Sequence, residues 1–147
     1  DVKEFLQRLR QKCTDTGVLL IFDEVMTGFR LSANGGSGVF DVRPDLITYG
    51  KVLGGGFPIG ALGGKEQIMK TKGVFYGGTF SANPLSMYAA SLILEAIIES
   101  KQIDYDKLQQ AGEFFRNEIN SFFISEGKKS AYFKNKRSLL VKDIQWP

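Results

Sequence analysis

The residues Val18-Leu19-Leu20-Ile21-Phe22-Asp23-Glu24 constrain this chain more than any others: five apolar side chains in succession stop on two acids. An apolar run of that length, closed by polar residues, is expected as a β-strand covered on both faces, the usual condition of parallel strands in α/β domains. Asp23 and Glu24 then stand at its carboxyl end, the edge at which open α/β sheets bind ligands. Two readings of the pair stay open at this point: a carboxylate set up for chemistry, or one that caps the following turn.

The flanking segments fit an α/β repeat. Val2, Phe5, Leu6, Leu9 and Cys13 recur at helical spacing with charged residues between them, so residues 2 to 14 are predicted as an amphipathic helix, stopped by Gly17. After Glu24 the chain passes through Val25-Met26-Thr27-Gly28-Phe29-Arg30 into a glycine-rich stretch, Ser32 to Gly38, expected as a flexible loop beside the strand end. Leu46-Ile47-Thr48-Tyr49 reads as a second short buried strand and ends on Gly50-Lys51. Lys51 is flanked by apolar residues and glycines. A lysine in such surroundings loses hydration, which favours the free amine as a nucleophile; a lysine that snorkels from a loop into solvent is the plainer alternative.

The glycines that follow do not form a nucleotide motif. A Walker A loop ending at Gly50-Lys51 needs glycine where Asp45 stands and Ser or Thr where Val52 stands, and a dinucleotide fingerprint from Gly54 needs glycine at Ile59. Ile59 to Gly64 is predicted as a third strand whose small residues permit close approach, and Lys65 to Lys70 as a short helix. Asn83 and Pro84 make a good helix start. The helix they open, to about Ser100, is expected to bury Leu85, Tyr88, Ala89, Leu92, Ile93, Ala96 and Ile97. A further amphipathic helix, from about Asp104 to Phe123, carries Leu108, Ala111, Phe115, Ile119 and Phe122 on one face, and Leu139-Leu140-Val141 reads as one late strand.

Composition narrows the chemistry. The formal charge of +3 is a tail property: residues 126 to 147 hold six Lys/Arg against two Asp/Glu, leaving 13 against 14 elsewhere, so a nucleic-acid partner is not expected. With one cysteine, Cys13, and no histidine, the 147 residues hold no internal disulfide, no Cys/His zinc pattern and no triad that draws histidine from this chain. Scarce cysteine suits an intracellular, cytoplasmic protein. No apolar run approaches the roughly 18 residues that span a bilayer, so no membrane partner is expected. The chain starts at Asp1 with neither Met nor an apolar leader, and is expected to be a piece of something larger.

An acid at one strand end, a lysine 28 positions later at the next, and a Gly-Thr turn with hydroxyl and amide donors suit one chemistry. In pyridoxal phosphate catalysis a lysine amine holds the aldehyde as an imine, a carboxylate keeps the ring nitrogen protonated, and hydroxyls and amides bind the phosphate. The strings Ile21 to Arg30, Pro44-Asp45-Leu46, Gly50-Lys51, Gly54-Gly55-Gly56-Phe57-Pro58-Ile59-Gly60-Ala61 and Gly78-Thr79-Phe80-Ser81-Ala82-Asn83-Pro84-Leu85 resemble the class III pyridoxal-phosphate-dependent aminotransferases. Within that family they are most similar to the glutamate-1-semialdehyde 2,1-aminomutase branch, and the match is dense over residues 18 to 90.

The resemblance implies an α/β fold, part of the fold-type I large domain with a mostly parallel central sheet flanked by helices. Residues 1–125 are then part of the cofactor-binding domain, and 126–147 the start of a C-terminal segment or an irregular tail. It implies that Lys51 binds pyridoxal 5'-phosphate covalently and shuttles protons, that Asp23 pairs with the pyridinium nitrogen, that Val25 packs on the ring and that Glu24 braces the site. Thr79 and the Gly78 turn reach the phosphate of a neighbouring subunit, since this family builds its sites across a homodimer. The substrate is a small amino or keto compound, and the reaction an intramolecular amino transfer. Two alternatives stay beside it: a class III transaminase acting on another amine or keto substrate, and a non-catalytic fragment serving as a dimerisation or interaction module. The resemblance covers about the middle third of such an enzyme, so the chain alone is expected to be weak or inactive.

Overall fold

In a computed structural model the described residues are 1–71, 77–79 and 81–125. The chain divides into two units, Asp1–Ile103 and Asp104–Pro147. The expected strand at Leu139-Leu140-Val141 and the expected tail lie outside the described residues, as does Phe80 of the Thr79 turn.

Helix α1 spans Val2–Thr16. The Asp1 carboxylate accepts the Lys3 N–H at 3.0 Å to cap its start, and Gly17, at φ 69°, closes it in the left-handed conformation that glycine adopts without steric cost. Strand β1 is short, Ile21–Asp23, and runs parallel to β2, Leu46–Tyr49, with Ile21, Phe22 and Asp23 opposite Leu46, Ile47 and Thr48. Strand β3, Ala61–Gly64, pairs antiparallel with β2, so the described sheet is mixed in the order β1-β2-β3. A 3-10 turn, Lys51–Gly54, follows β2, and short helix α3, Glu66–Met69, follows β3.

Two expectations need correction here. The apolar run at 18–22 is not covered on both faces: Leu20 is buried and Phe22 half-buried, whereas Val18, Leu19 and Ile21 are exposed, Ile21 at 56%. Successive strand residues point to opposite faces, and α1 with the end of α2 (Gly35–Phe40) covers one face alone, through a core of Cys13, Leu20 and Val42 packed by Leu6, Leu9, Phe22 and Phe40. Nor is the stretch from Ser32 to Gly38 a plain loop, because helix α2 starts within it and runs on to Phe40.

Helix α4, Pro84–Leu94, starts where the sequence places it. Asn83 Oδ1 accepts the N–H groups of Leu85 and Ser86 at 3.1 and 3.2 Å. The helix continues into a π-helical turn, Glu95–Glu99. Its inward stripe differs from the expected one: Ser86, Ala90 and Ile97 are buried and Ala89, Ile93 and Ala96 half-buried, whereas Leu85, Tyr88 and Leu92 are exposed. The small stripe is selected because α4 packs on the turn after β2, where a β-carbon on Gly55 would stand 3.2 Å from the Ile93 side chain. In the second unit, helix α5 (Tyr105–Ser125) carries the expected apolar face, with Leu108, Phe115, Ile119 and Phe122 exposed. No described helix is long and apolar enough to cross a membrane.

One carboxylate joins these parts. Asp45, 3% exposed, accepts the Leu20 N–H at 2.7 Å and ion-pairs with Arg10 of α1 at 2.7 Å and with Lys65, just past β3, at 2.5 Å. Its backbone N–H donates to Leu20 O at 2.7 Å, and its carbonyl accepts the Lys65 N–H at 3.0 Å. The Lys65 ammonium, the Leu20 N–H and the Arg10 guanidinium hold the Asp45 carboxyl well below the usual carboxylate range, against the opposing effect of burial. Because the folded state depresses this acid, its stabilisation is complete above the unfolded carboxylate range and is lost as pH falls below about 4. Asp45→Ala, which leaves the Leu20 N–H unpaired and removes the buried partner of two cations, is expected to cost about 3 kcal/mol. Urea denaturation from pH 7 to pH 2 checks both: the loss at pH 7 should be large, and the variant's stability should fall less steeply with acid than the parent's.

Candidate functional site

The carboxyl ends of the parallel strands β1 and β2 bring most of the candidate residues to one edge of the sheet. Asp23 ends β1 and Thr48 is its partner in β2. Partners in register share a face of the sheet, and the Thr48 hydroxyl donates to Asp23 Oδ1 at 3.0 Å. The chain turns at once, so that the Val25 N–H donates to the same oxygen, also at 3.0 Å. Asp23 lies on the face that α1 leaves open, and it is exposed.

Glu24 points the other way, as alternation requires, and is 2% exposed. Its Oε2 accepts the Thr27 hydroxyl at 2.6 Å and the Gly36 N–H at 2.7 Å, and its Oε1 accepts the Ser37 N–H at 2.7 Å. The carboxylate thereby serves amides in the first turn of α2, and it is the reason that a glycine-rich segment becomes helical there. The fit excludes any side chain at Gly35: its φ is +62°, and an added β-carbon would fall far inside contact distance of Glu24 Oε2.

Val25 is half-buried, and its methyl groups border Gly50, where a β-carbon would stand 3.4 Å from Cγ1. The turn after β1 thus touches the residue that precedes Lys51. Lys51 opens the 3-10 turn with φ 44°, a left-handed conformation that costs a non-glycine residue about 1 kcal/mol or more. Of the two readings of Lys51, the solvent-facing one is found. Leu53 and Gly54 of the turn are buried, while Lys51 is exposed at the open end of the sheet.

Tyr49 and Phe29 were not among the expected site residues. Their rings stack with centroids 5.0 Å apart, fastening the turn after β1 to the end of β2. Burial raises the Tyr49 phenol above its ordinary range, and the negative charge of Glu24 adds to the effect. Thr48 was also missed, since only the strand register puts its hydroxyl beside Asp23. Gly78 and Thr79 are exposed in a separate turn, where Gly78 O accepts the Ser81 N–H at 2.9 Å ahead of α4. They connect to the edge through α4, which packs on the turn after Lys51. Two shallow surface depressions lie elsewhere, one along α1 and one lined by Lys65, Glu66, Gln67 and Lys70. Asp23 and Lys51 are both exposed at this sheet edge.

The sheet edge thus carries an oriented carboxylate at the end of one strand, an exposed lysine after the next, and an apolar residue, Val25, between their segments. Among the described residues no cluster of His, Cys, Asp and Glu could hold a metal ion.

Residues 1–131 match the family described as aminotransferase class III. Glutamate-1-semialdehyde 2,1-aminomutase 2 of Lachnoclostridium phytofermentans is 46% identical over 123 residues, which cover 81% of this chain and 29% of that protein. Among solved structures, an omega-transaminase from Sphaerobacter thermophilus superposes with a TM-score of 0.73 at 35% identity, covering 85% of this chain and 29% of that one. A transaminase with PLP bound superposes with a TM-score of 0.72 at 29% identity, over 84% of this chain and 30% of its own. The chain thus spans under a third of the length of these relatives.

The Glu24 clamp makes a prediction independent of any ligand. Gly35→Ala should destabilise the chain by about 2 kcal/mol through its positive φ and its collision with the carboxylate. In a Glu24→Ala background the collision is gone and only the backbone cost remains, so a double-mutant cycle by chemical denaturation should show clear non-additivity.

Proposed function

Since the chain belongs to the class III aminotransferase family, we propose that it is part of the cofactor-binding domain of a pyridoxal-phosphate-dependent enzyme that moves an amino group within a small molecule, as glutamate-1-semialdehyde 2,1-aminomutase does. The observation that carries the reading is the pairing at the sheet edge: Asp23, oriented by Val25 and Thr48, ends β1, and the amine of Lys51 follows the adjacent parallel strand. The aminomutase and transaminase relatives support the choice of reaction and cofactor.

Pyridoxal phosphate, when bound, supplies a conjugated ring that takes up the electron pair of a breaking bond at Cα. The chain's own residues have these parts. Lys51 Nζ would hold the cofactor at its aldehyde carbon and would carry a proton at that atom. The Asp23 carboxylate would hold the proton on the ring nitrogen, and the two donors on its Oδ1 orient it for that purpose. Val25 covers a ring face, and Glu24 secures the segment after it through α2. The Gly78 and Thr79 turn binds phosphate in a partner copy, so a homodimer is part of the proposal.

Residues 1–125 belong in this reading to the large domain, and 126–147 to the start of a C-terminal segment or an irregular tail; a cytoplasmic location is proposed with it. A second reading, transamination between separate donor and acceptor, is favoured by the transaminase neighbours among solved structures. Supplying an external amine separates the two, because an aminomutase needs none.

Borohydride reduction with pyridoxal phosphate present, followed by peptide mapping, should place the stable label on Lys51 ahead of the other lysines, and Lys51→Ala should abolish that selectivity. Asp23→Asn should retain cofactor while lowering turnover about a thousandfold in the assembled enzyme, the order expected for losing a close ion pair. Labelling spread evenly over the lysines, or near-normal turnover in Asp23→Asn, would count against the assignment.

A further inference from the structure

We propose that Thr48 is a positioning residue for the Asp23 carboxylate, holding one of its oxygens so that the other is presented at the sheet edge. Four observations lead there. Asp23 and Thr48 are partners in a parallel pair, so their side chains share a face. The Thr48 hydroxyl lies 3.0 Å from Asp23 Oδ1, and an ionised carboxylate only accepts, so the hydroxyl is the donor. The Val25 N–H reaches that same oxygen at 3.0 Å, and neither bond goes to Oδ2. The backbone beneath is fixed too, because the Glu24 N–H donates to Thr48 O at 3.0 Å.

The two donors come from different segments, one from the turn after β1 and one from the neighbouring strand. A single donor leaves a carboxylate free to rotate about its Cα–Cβ and Cβ–Cγ bonds; two converging on Oδ1 restrict both. Threonine suits this task better than its strand propensity alone requires. Its β-branch limits χ1 and so holds the hydroxyl toward β1. Valine would fill a strand position equally well, but it offers no donor.

The catalytic consequence rests on the reading of Asp23 as the acid at the cofactor's ring nitrogen, whereas the hydrogen-bond role does not. The experiment therefore has two arms. In the cofactor-free full chain, three-bond NMR couplings of the Asp23 side chain should report one rotamer in the parent and in Thr48→Ser, and rotamer averaging in Thr48→Val. Thr48→Ala gives the same test if valine disturbs the strand. A single retained rotamer in the hydroxyl-free variants overturns the proposal.

In the cofactor-loaded enzyme, Thr48→Val should lower kcat about tenfold with KM little changed, the loss expected for one hydrogen bond to a charged group, and Thr48→Ser should recover most of it. Unchanged kcat in Thr48→Val, or equal loss in the valine and serine variants, also overturns it. Should the parent fail to take up pyridoxal phosphate at Lys51, the functional reading falls while the coupling measurements still decide the role of Thr48.

Discussion

The buried carboxylate of Asp45 is the interaction on which the rest of the first unit depends. It collects a guanidinium from α1, an amide from the approach to β1 and an ammonium from the exit of β3. Arg10 and Leu20 stand 35 and 25 positions before Asp45 in the chain, and among the described residues the buried apolar cluster beside them is small, Cys13, Leu20 and Val42. A low-dielectric acid with two cations and an amide is costly to desolvate, yet far costlier to leave half-satisfied. That asymmetry couples the three segments energetically.

The location of this node has a consequence for function. Leu20, Asp45 and Lys65 all lie at the end where β1 and β2 begin and the antiparallel β3 finishes. Asp23, Thr48 and Lys51 lie at the opposite end, where the parallel strands finish. The Asp45 ion-pair node and the residues accessible to a ligand are therefore separated by the length of the strands. The strongest fixed charges of the node stand away from the edge where Asp23 and Lys51 are accessible.

Asp23 and Glu24, adjacent and chemically alike, acquire different work from the pleat. Alternation sends Glu24 to the covered face, where it serves the amides of α2, and leaves Asp23 on the open face beside Thr48. Of the two readings of the acid pair, capping falls to Glu24, and the chemistry is proposed for Asp23. The backbone strain at Lys51 and the glycine demanded at Gly35 belong to the same arrangement, since each lets a charged side chain occupy a position that an ordinary turn would deny it.

Much of this was legible in the residues alone. Periodicity, an N-cap at Asn83 and a stop at Gly17 locate α1 and α4 because caps and amphipathic spacing are local. The family is carried by co-ordered short strings around Asp23, Lys51 and Thr79. Illegible were the features that need two distant segments: the one-sided cover of β1, the stripe by which α4 meets the turn after β2, and the hydroxyl of Thr48 set against Asp23. Sequence determined which elements form and which side chains carry reactive groups, because propensity and side-chain chemistry travel with each residue. Tertiary structure decided which of those groups face one another, because strand register and burial exist only once separate parts of the chain have paired.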